Sequence, residues 1–154
     1  MTVYFLDSSA LVKRYVTEKG SVWLQQLAEP ESGHTLIVAR ISWAELLSAL
    51  ARLQREYALS PADINDALTT LSYDWATQYQ VVEIDAAVIN LAGELLFDHP
   101  LRAYDSVQLA SALQLRPAFA DAPEGSYVFL AADERLLSAA RAEGLATQNP
   151  NEQP

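Results

Sequence analysis

The chain has no cysteine and only two histidines and five glycines among its 154 residues. Without cysteine there is neither a disulfide framework nor a thiolate metal site, so a reducing, cytoplasmic setting fits best. His34 and His99 have no ligand-like spacing and are predicted to be loop residues. The glycines form no glycine-rich loop, which leaves a nucleotide-binding fold without support.

Positive charge is also scarce, because ten Lys and Arg residues face twenty Asp and Glu residues and give a net charge of −10. Phosphate backbones are normally held by a basic stripe. If this protein binds nucleic acid, a bound divalent cation or a basic partner chain must invert the local charge. The longest apolar runs are far shorter than a membrane span, and MTVYFLD lacks the basic start of a signal peptide, so no membrane association is expected.

Short apolar segments alternate with helical segments along the chain. Strands are predicted at 3–6, 35–39, 81–84, 127–131 and 145–148. This alternation predicts a parallel sheet covered by helices on both faces. We therefore expect an α/β fold of three α/β/α layers around a central, mainly parallel twisted sheet of four to five strands. It forms a single domain over residues 1–148, followed by a short flexible tail at 149–154.

Four carboxylates stand at positions that such a fold brings together. Asp7 follows the strand at 3–6, and Asp133 stands in the same relation to a later strand. Glu45 and Asp105 fall in the first turns of apolar helices. In open α/β sheets the site lies at the carboxyl ends of the strands, so convergence of the four acids is expected.

Each of these acids also has a purely structural interpretation. Asp7 and Asp133 are N-cap candidates, and Asp105 is placed to interact with a helix dipole. Ser42 with Glu45 three residues later forms a capping-box pattern, which predicts a helix beginning at Ser42. For each acid considered alone, the structural interpretation is favoured over a functional one. For all four together it is less convincing, because capping residues usually lie at the surface and do not need the apolar neighbours that these acids have.

A cluster of carboxylates carries an energetic cost. Two like charges ~4 Å apart repel by about 4 kcal/mol at an effective dielectric constant of about 20. A hard divalent cation removes that cost, and an all-carboxylate site favours Mg²⁺ or Mn²⁺ over zinc. Such a cation lowers the pKa of bound water and neutralises charge on a phosphodiester under attack.

Four sequence blocks, FLDSSALVKRY, SWAELLSAL, LRAYDSVQLASAL and FLAADERLLSAARAEGL, occur in the order seen in PIN-domain ribonucleases. The chain resembles, in particular, the VapC-type toxins of bacterial toxin–antitoxin pairs, from Val3 to Pro150. The resemblance implies a PIN-like fold and a Mg²⁺- or Mn²⁺-dependent endoribonuclease. It also implies an acidic catalytic site formed by Asp7, Glu45, Asp105 and Asp133. Asp7 and Asp105 would be the firmest metal ligands, followed by Glu45. Asp133 would bind a second ion or hold an attacking water.

The resemblance has further implications. Ser9 matches a small hydroxyl residue that commonly follows the first acid by two positions; its structural interpretation, a helix N-cap, weighs equally. Relatives often carry Thr or Ser two residues before the last acid, where this chain has Ala131. Family members commonly form homodimers and are silenced by a small antitoxin that wraps an apolar groove. Their substrates are RNA, with transfer or ribosomal RNA as family-level expectations.

Positive residues near the predicted site have two interpretations each. Lys13, Arg14 and Lys19 are either a solvated helix face, which is slightly favoured, or a contact to the RNA backbone. Arg102 either pairs with an acid or contacts phosphate, and the sequence leaves both open.

Two other functions also use an acidic residue at the end of a first strand or a PIN-like fold. A phosphoaspartate protein needs a late lysine, but the only lysines are Lys13 and Lys19, and the phosphatase class needs an acid where Ser9 stands. The stronger alternative is a catalytically idle PIN-like binding or scaffold module. The complete set of four acids disfavours it, and RNA cleavage would separate it from an enzyme.

Overall fold

The computed structural model describes residues 1–154, which form five strands and seven α-helices. The strands are β1 (Val3–Leu6), β2 (Thr35–Ala39), β3 (Gln80–Val82), β4 (Tyr127–Leu130) and β5 (Ala146–Gln148). The helices are α1 (Ser8–Leu11), α2 (Ser21–Leu27), α3 (Ile41–Arg55), α4 (Pro61–Thr77), α5 (Ala86–Asp98), α6 (Ala103–Leu115) and α7 (Glu134–Ala142). No helix is both long enough and apolar enough to cross a bilayer.

All five strands belong to one parallel sheet with the order β3-β2-β1-β4-β5. The central strand β1 pairs with β2 and β4, so that Val3 lies opposite both Thr35 and Tyr127. Strands β1 and β4 are buried along their whole length, as expected for a sheet covered on both faces. The predicted parallel sheet is confirmed.

Helices cover both faces of the sheet, because successive residues of a strand point to opposite sides. Val3 and Phe5 belong to one apolar core, which includes residues of α5, α6 and α7. Tyr4 and Leu6 belong to a second core, formed with residues of α1 to α4. Phe5 stacks on Phe129 of the neighbouring strand at a ring-centroid distance of 5.8 Å. The result is the predicted three-layer α/β/α arrangement.

The predicted start of α3 is wrong. The helix begins at Ile41 with Arg40 as its N-cap, and no side chain caps it. Arg40 already has a right-handed helical conformation, and its N–H donates to the Val82 carbonyl, so the helix leaves the end of β2 without an extended capping residue. Ser42 therefore lies inside the helix, where it is fully buried. A capping box does occur at the start of α4, between Ser60 and Asp63.

The predicted tail begins with two buried residues, Asn149 and Pro150. Pro150 starts a short 3-10 turn that packs against Gly20, whose φ is 87°. A Cβ at Gly20 would lie 2.6 Å from the Pro150 carbonyl oxygen. The packed part of the chain thus reaches Pro150, two residues beyond the predicted domain end, and the flexibility of the last residues stays a prediction.

Candidate active site

The structure brings the four predicted acids together in one pocket. Asp7, Glu45, Asp105 and Asp133 line a cavity of about 310 Å³. Asp7 directly follows β1, and Asp133 comes three residues after the end of β4, so the pocket lies at the carboxyl ends of neighbouring strands. Two larger cavities, of about 630 and 520 Å³, lie elsewhere and contain at most one carboxylate each.

Asp7 is the most buried of the four acids, with 1% of its surface exposed. Its Oδ2 accepts hydrogen bonds from the Ser9 N–H at 3.0 Å and the Ser9 hydroxyl at 2.5 Å. Its Oδ1 is buried and has no hydrogen-bond partner. Burial raises the pKa of Asp7 to about 7; the Ser9 hydrogen bonds oppose this rise, and the carboxylate of Glu45 adds to it.

Ser9 connects the ends of two neighbouring strands. Its hydroxyl donates to Asp7 and accepts a 2.9 Å hydrogen bond from the Ala132 N–H, in the loop after β4. Ser9 lies inside α1, and the N-cap of that helix is Asp7. The N-cap interpretation of Ser9 is therefore wrong, while Asp7 both caps a helix and lines the pocket.

Glu45 is held by two side chains that the sequence did not point to. Its Oε2 accepts from the Ser8 hydroxyl at 2.6 Å, and its Oε1 accepts from Gln108 Nε2 at 3.0 Å. Gln108 is fully buried in α6 and also donates to the Ser42 hydroxyl at 2.7 Å. The signal for Gln108 in the sequence is an amide side chain within the mostly apolar stretch 101–113, because a buried amide needs polar partners.

Asp105 and Asp133 differ in their hydrogen bonds to the rest of the protein. Asp105 is partly buried in the first turn of α6; burial raises its pKa, Asp133 and Glu45 add to the rise, and Arg102 opposes it. Asp133 is the N-cap of α7, because its Oδ1 accepts from two backbone N–H groups of the first turn, at 2.9 and 3.3 Å. One Asp133 oxygen is thus occupied by the cap.

Two of the predicted RNA-contacting cations lie outside the pocket. Lys13 is buried and its Nζ lies 3.0 Å from Glu18 Oε1, so the prediction of a solvated face is wrong there. Arg14 donates to the Tyr79 hydroxyl at 2.7 Å and forms a salt bridge with Asp74 at 3.5 Å. These contacts hold both side chains within the fold.

Two exposed arginines do line the pocket. Arg102 was predicted to be near the site, and it lies in the pocket wall without a salt bridge. Arg52 was not predicted. The signal for it was its position on α3, because a residue seven after Glu45 lies two turns further along the same helix face.

The donor chemistry of the pocket fits a hard divalent cation. Its acidic ligands are all carboxylate oxygens, the type that Mg²⁺ and Mn²⁺ take. The buried Asp7 Oδ1, which no protein donor satisfies, is an acceptor that a cation would complete. No three acidic or histidine side chains are close enough together to form a closed ligand set in the structure. The fit therefore rests on donor type and on Asp7.

Fold and pocket together define a three-layer α/β protein with an acidic site at the carboxyl edge of a parallel sheet. The PIN domain family matches residues 4–142, and the chain belongs to this family. It is 32% identical over 144 residues to Ribonuclease VapC45 of Mycobacterium tuberculosis strain CDC 1551 / Oshkosh, with 94% of this chain and 93% of the relative covered. The same figures hold for Ribonuclease VapC49 of strain ATCC 25618 / H37Rv. The predicted relation to PIN-domain VapC proteins is confirmed.

Solved structures show the same fold. FitAcB from Neisseria gonorrhoeae matches with a TM-score of 0.66 at 18% identity, covering 97% of this chain and 99% of that chain. VapC20 from Mycobacterium tuberculosis, described as a sarcin-ricin loop cleaving toxin, matches with a TM-score of 0.61 at 16% identity, covering 98% and 99%. VapBC2 from Rickettsia felis, bound to a promoter DNA fragment, matches with a TM-score of 0.63 at 15% identity, covering 96% and 98%.

Proposed function

We propose that this protein is a Mg²⁺- or Mn²⁺-dependent endoribonuclease and the toxin component of a toxin–antitoxin pair. The observation that carries the proposal is the convergence of Asp7, Glu45, Asp105 and Asp133 in one pocket. Four acids from distant parts of the chain repel one another there, and a cation that binds a phosphodiester compensates this repulsion. The names of the relatives, Ribonuclease VapC45 and VapC49, support the same activity.

In this proposal Asp7, Glu45 and Asp105 would hold the cation, which would neutralise phosphate charge and lower the pKa of bound water. Ser9 fixes one oxygen of Asp7 and leaves the other, Oδ1, free to bind. Ser8 and Gln108 fix both oxygens of Glu45, so its position is set before any ligand arrives.

Asp133 has a separate role in the proposal. Its Oδ1 is used by the cap of α7, and its Oδ2 faces no protein donor. That oxygen is available to accept a hydrogen bond from an attacking water or to bind a second ion. In the hydrolysis, the water oxygen bonds to phosphorus and one phosphorus–oxygen ester bond of the RNA strand breaks.

The partners belong to the same proposal. The substrate is RNA, with transfer or ribosomal RNA as first candidates, and the cellular setting is the cytoplasm. An antitoxin partner is supported by solved neighbours described as a toxin–antitoxin complex from Klebsiella pneumoniae and as FitAB bound to a DNA fragment. The protein is proposed to form a homodimer, as family members commonly do.

The test is cleavage of a pool of transfer and ribosomal RNA by the purified, antitoxin-free protein, with Mg²⁺ or Mn²⁺ and with EDTA. We expect discrete products that disappear with EDTA and with Asp105→Asn. The matched control is Asp66→Asn, which removes the same charge from an exposed position on α4, outside the pocket. Cleavage that survives EDTA, or is equally reduced in both variants, would contradict the proposal.

One observation favours the alternative, a catalytically idle binding module. The acids do not form a closed ligand set, and in the cation-free protein the pKa of Asp7 is raised to about 7, so a cation must displace a proton from Asp7 to bind there at neutral pH. A folded protein that binds RNA and Mn²⁺ but produces no cleavage products from the pool would establish this alternative.

A further inference from the structure

The positive side chains of this acidic protein are unevenly placed. Four of its ten lysines and arginines form salt bridges with acids, and these are Lys13, Arg14, Arg40 and Arg141. Three of the remaining cations lie at the carboxylate pocket: Arg52, Arg102 and Arg135. Arg52 and Arg102 line the pocket, and Arg135 stands two residues after the pocket residue Asp133, in the first turn of α7.

These three arginines are exposed and belong to three different elements. Arg52 is on α3, Arg102 immediately precedes α6, and Arg135 is in the first turn of α7. None forms a salt bridge, although four carboxylates are nearby. Their guanidinium groups therefore remain free to bind a ligand.

Helix stability does not explain their positions. Arg102 and Arg135 stand at helix starts, where the helix dipole disfavours positive charge. Arg52 is in the last turn of α3, where positive charge is favoured, but Arg55 is in the same turn and lies outside the pocket. The helix dipole therefore favours a basic residue somewhere in that turn, but it does not explain why Arg52 faces the pocket.

The chemistry of the arginines matches a chain of phosphates. A guanidinium presents a planar set of donors that binds phosphate in a bidentate manner. Arg52 is seven residues beyond Glu45, which places it about 10 Å further along α3 at a rise of 1.5 Å per residue. A phosphate that contacts Arg52 is therefore a neighbour of the one above the carboxylates.

We propose that Arg52, Arg102 and Arg135 form a phosphate-binding rim that holds a single RNA strand along the carboxylate pocket. The inference rests on the proposed function, since it assigns the residues that position the substrate of that same site. Together with a bound divalent cation, the three arginines outweigh the four carboxylates at the pocket, and this accounts for the attraction of RNA to a protein with a net charge of −10.

The experiment measures binding of a fluorescein-labelled single-stranded RNA oligonucleotide to the full chain by anisotropy, over a range of salt concentrations. Ca²⁺ replaces Mg²⁺, because it also takes oxygen ligands and can occupy the carboxylates. The variants are Arg52→Gln, Arg102→Gln and Arg135→Gln. The control is Arg55→Gln, which removes the same charge from the same helix turn as Arg52 but outside the pocket.

We expect each rim variant to bind RNA about five- to tenfold more weakly, as for loss of one charge-assisted hydrogen-bonded contact. The slope of log affinity against log salt concentration should fall by about 0.7 for each lost phosphate contact. Arg55→Gln should change neither quantity. In cleavage assays with Mg²⁺, Arg52→Gln should raise KM and leave kcat nearly unchanged, because its contact lies away from the bond that breaks.

The outcomes separate this inference from the proposed nuclease activity. Rim variants that bind like Arg55→Gln with an unchanged salt slope would overturn the rim and leave the nuclease standing. A wild-type protein that shows these effects but cleaves no RNA would support the rim and overturn the nuclease. A wild-type protein that binds no RNA at low salt would overturn the rim.

Discussion

At the scale of single residues, the site is built around a carboxyl group in an unfavourable position. Asp7 is almost fully buried, one of its oxygens has no partner, and burial raises its pKa to about 7. The fold therefore prefers protonated Asp7, whereas the unfolded chain releases that proton near pH 4. The stabilisation from this proton is present in full below about pH 4 and is lost as the pH rises to about 7.

This linkage predicts that Asp7→Asn stabilises the metal-free protein, and more so at higher pH. The amide keeps an acceptor for Ser9 and replaces the unpaired oxygen with a neutral group. Between pH 5 and pH 8, we expect the stability advantage of the variant to grow by about 2–3 kcal/mol. Urea unfolding in EDTA at both pH values measures it, with Asp66→Asn as control. An advantage that does not change with pH would contradict this account.

Ser9 gives a second prediction at this scale. Its hydroxyl lowers the pKa of Asp7 by donating to the charged form. In Ser9→Ala that pKa should rise further, so the acidic limb of the pH–rate profile moves to higher pH. Stability should fall by about 1–2 kcal/mol through two lost hydrogen bonds.

The control for Ser9→Ala is Ser8→Ala. Ser8 is the neighbouring hydroxyl, and it binds Glu45 instead of Asp7. We expect Ser8→Ala to reduce activity without moving the acidic limb. The same shift of the limb in both variants would show that Ser9 does not set the protonation of Asp7.

At the scale of helices and strands, α3 and α6 are joined by the buried Gln108, which donates to Ser42 and Glu45. We expect Gln108→Leu to destabilise the fold by about 1–3 kcal/mol, because it leaves two buried or partly buried acceptors unpaired. Glu45 should also lose its fixed orientation, so single-turnover cleavage should slow while RNA affinity in Ca²⁺ is kept. The control is Gln114→Leu, at an exposed position six residues further along α6. It should change neither the stability of the fold nor the rate of cleavage.

The elements also show which features the sequence could predict. The alternation of short apolar runs with helices predicted the parallel sheet, because burial of β1 and β4 on both faces demands continuous apolar strands. The predicted start of α3 is wrong because Ser42 and Glu45 fit a local capping pattern. In the structure both side chains instead accept hydrogen bonds from Gln108, which is 66 and 63 residues away in sequence. Partners that are distant in sequence leave no local signal, and for that reason Ser8 was also missed.

At the scale of the whole molecule, cation binding should be coupled to folding. The net charge of −10 and the pocket carboxylates oppose the folded state, and a bound cation relieves part of that repulsion. Mn²⁺ at about one hundred times its dissociation constant should stabilise the wild type by about 2.7 kcal/mol. Thermal unfolding with and without Mn²⁺ measures it.

The pocket variants provide the controls for this coupling. Asp7→Asn and Asp105→Asn should lose most of the Mn²⁺-induced rise in Tm, while Asp66→Asn should retain it. An equal rise in all four proteins would place the cation at another acidic surface of the molecule.

The most direct measurement of the central claim is the single-turnover rate of RNA cleavage as Mn²⁺ is titrated into wild type, Asp105→Asn and Asp66→Asn. We predict saturable activation of wild type and Asp66→Asn to the same rate. Asp105→Asn should be slower by about 10²–10³, because the variant lacks a ligand that positions the cation, and the cation stabilises the transition-state charge. Equal rates for Asp105→Asn and Asp66→Asn, or full activity without the cation, would contradict the assignment of this pocket as a metal-dependent nuclease site.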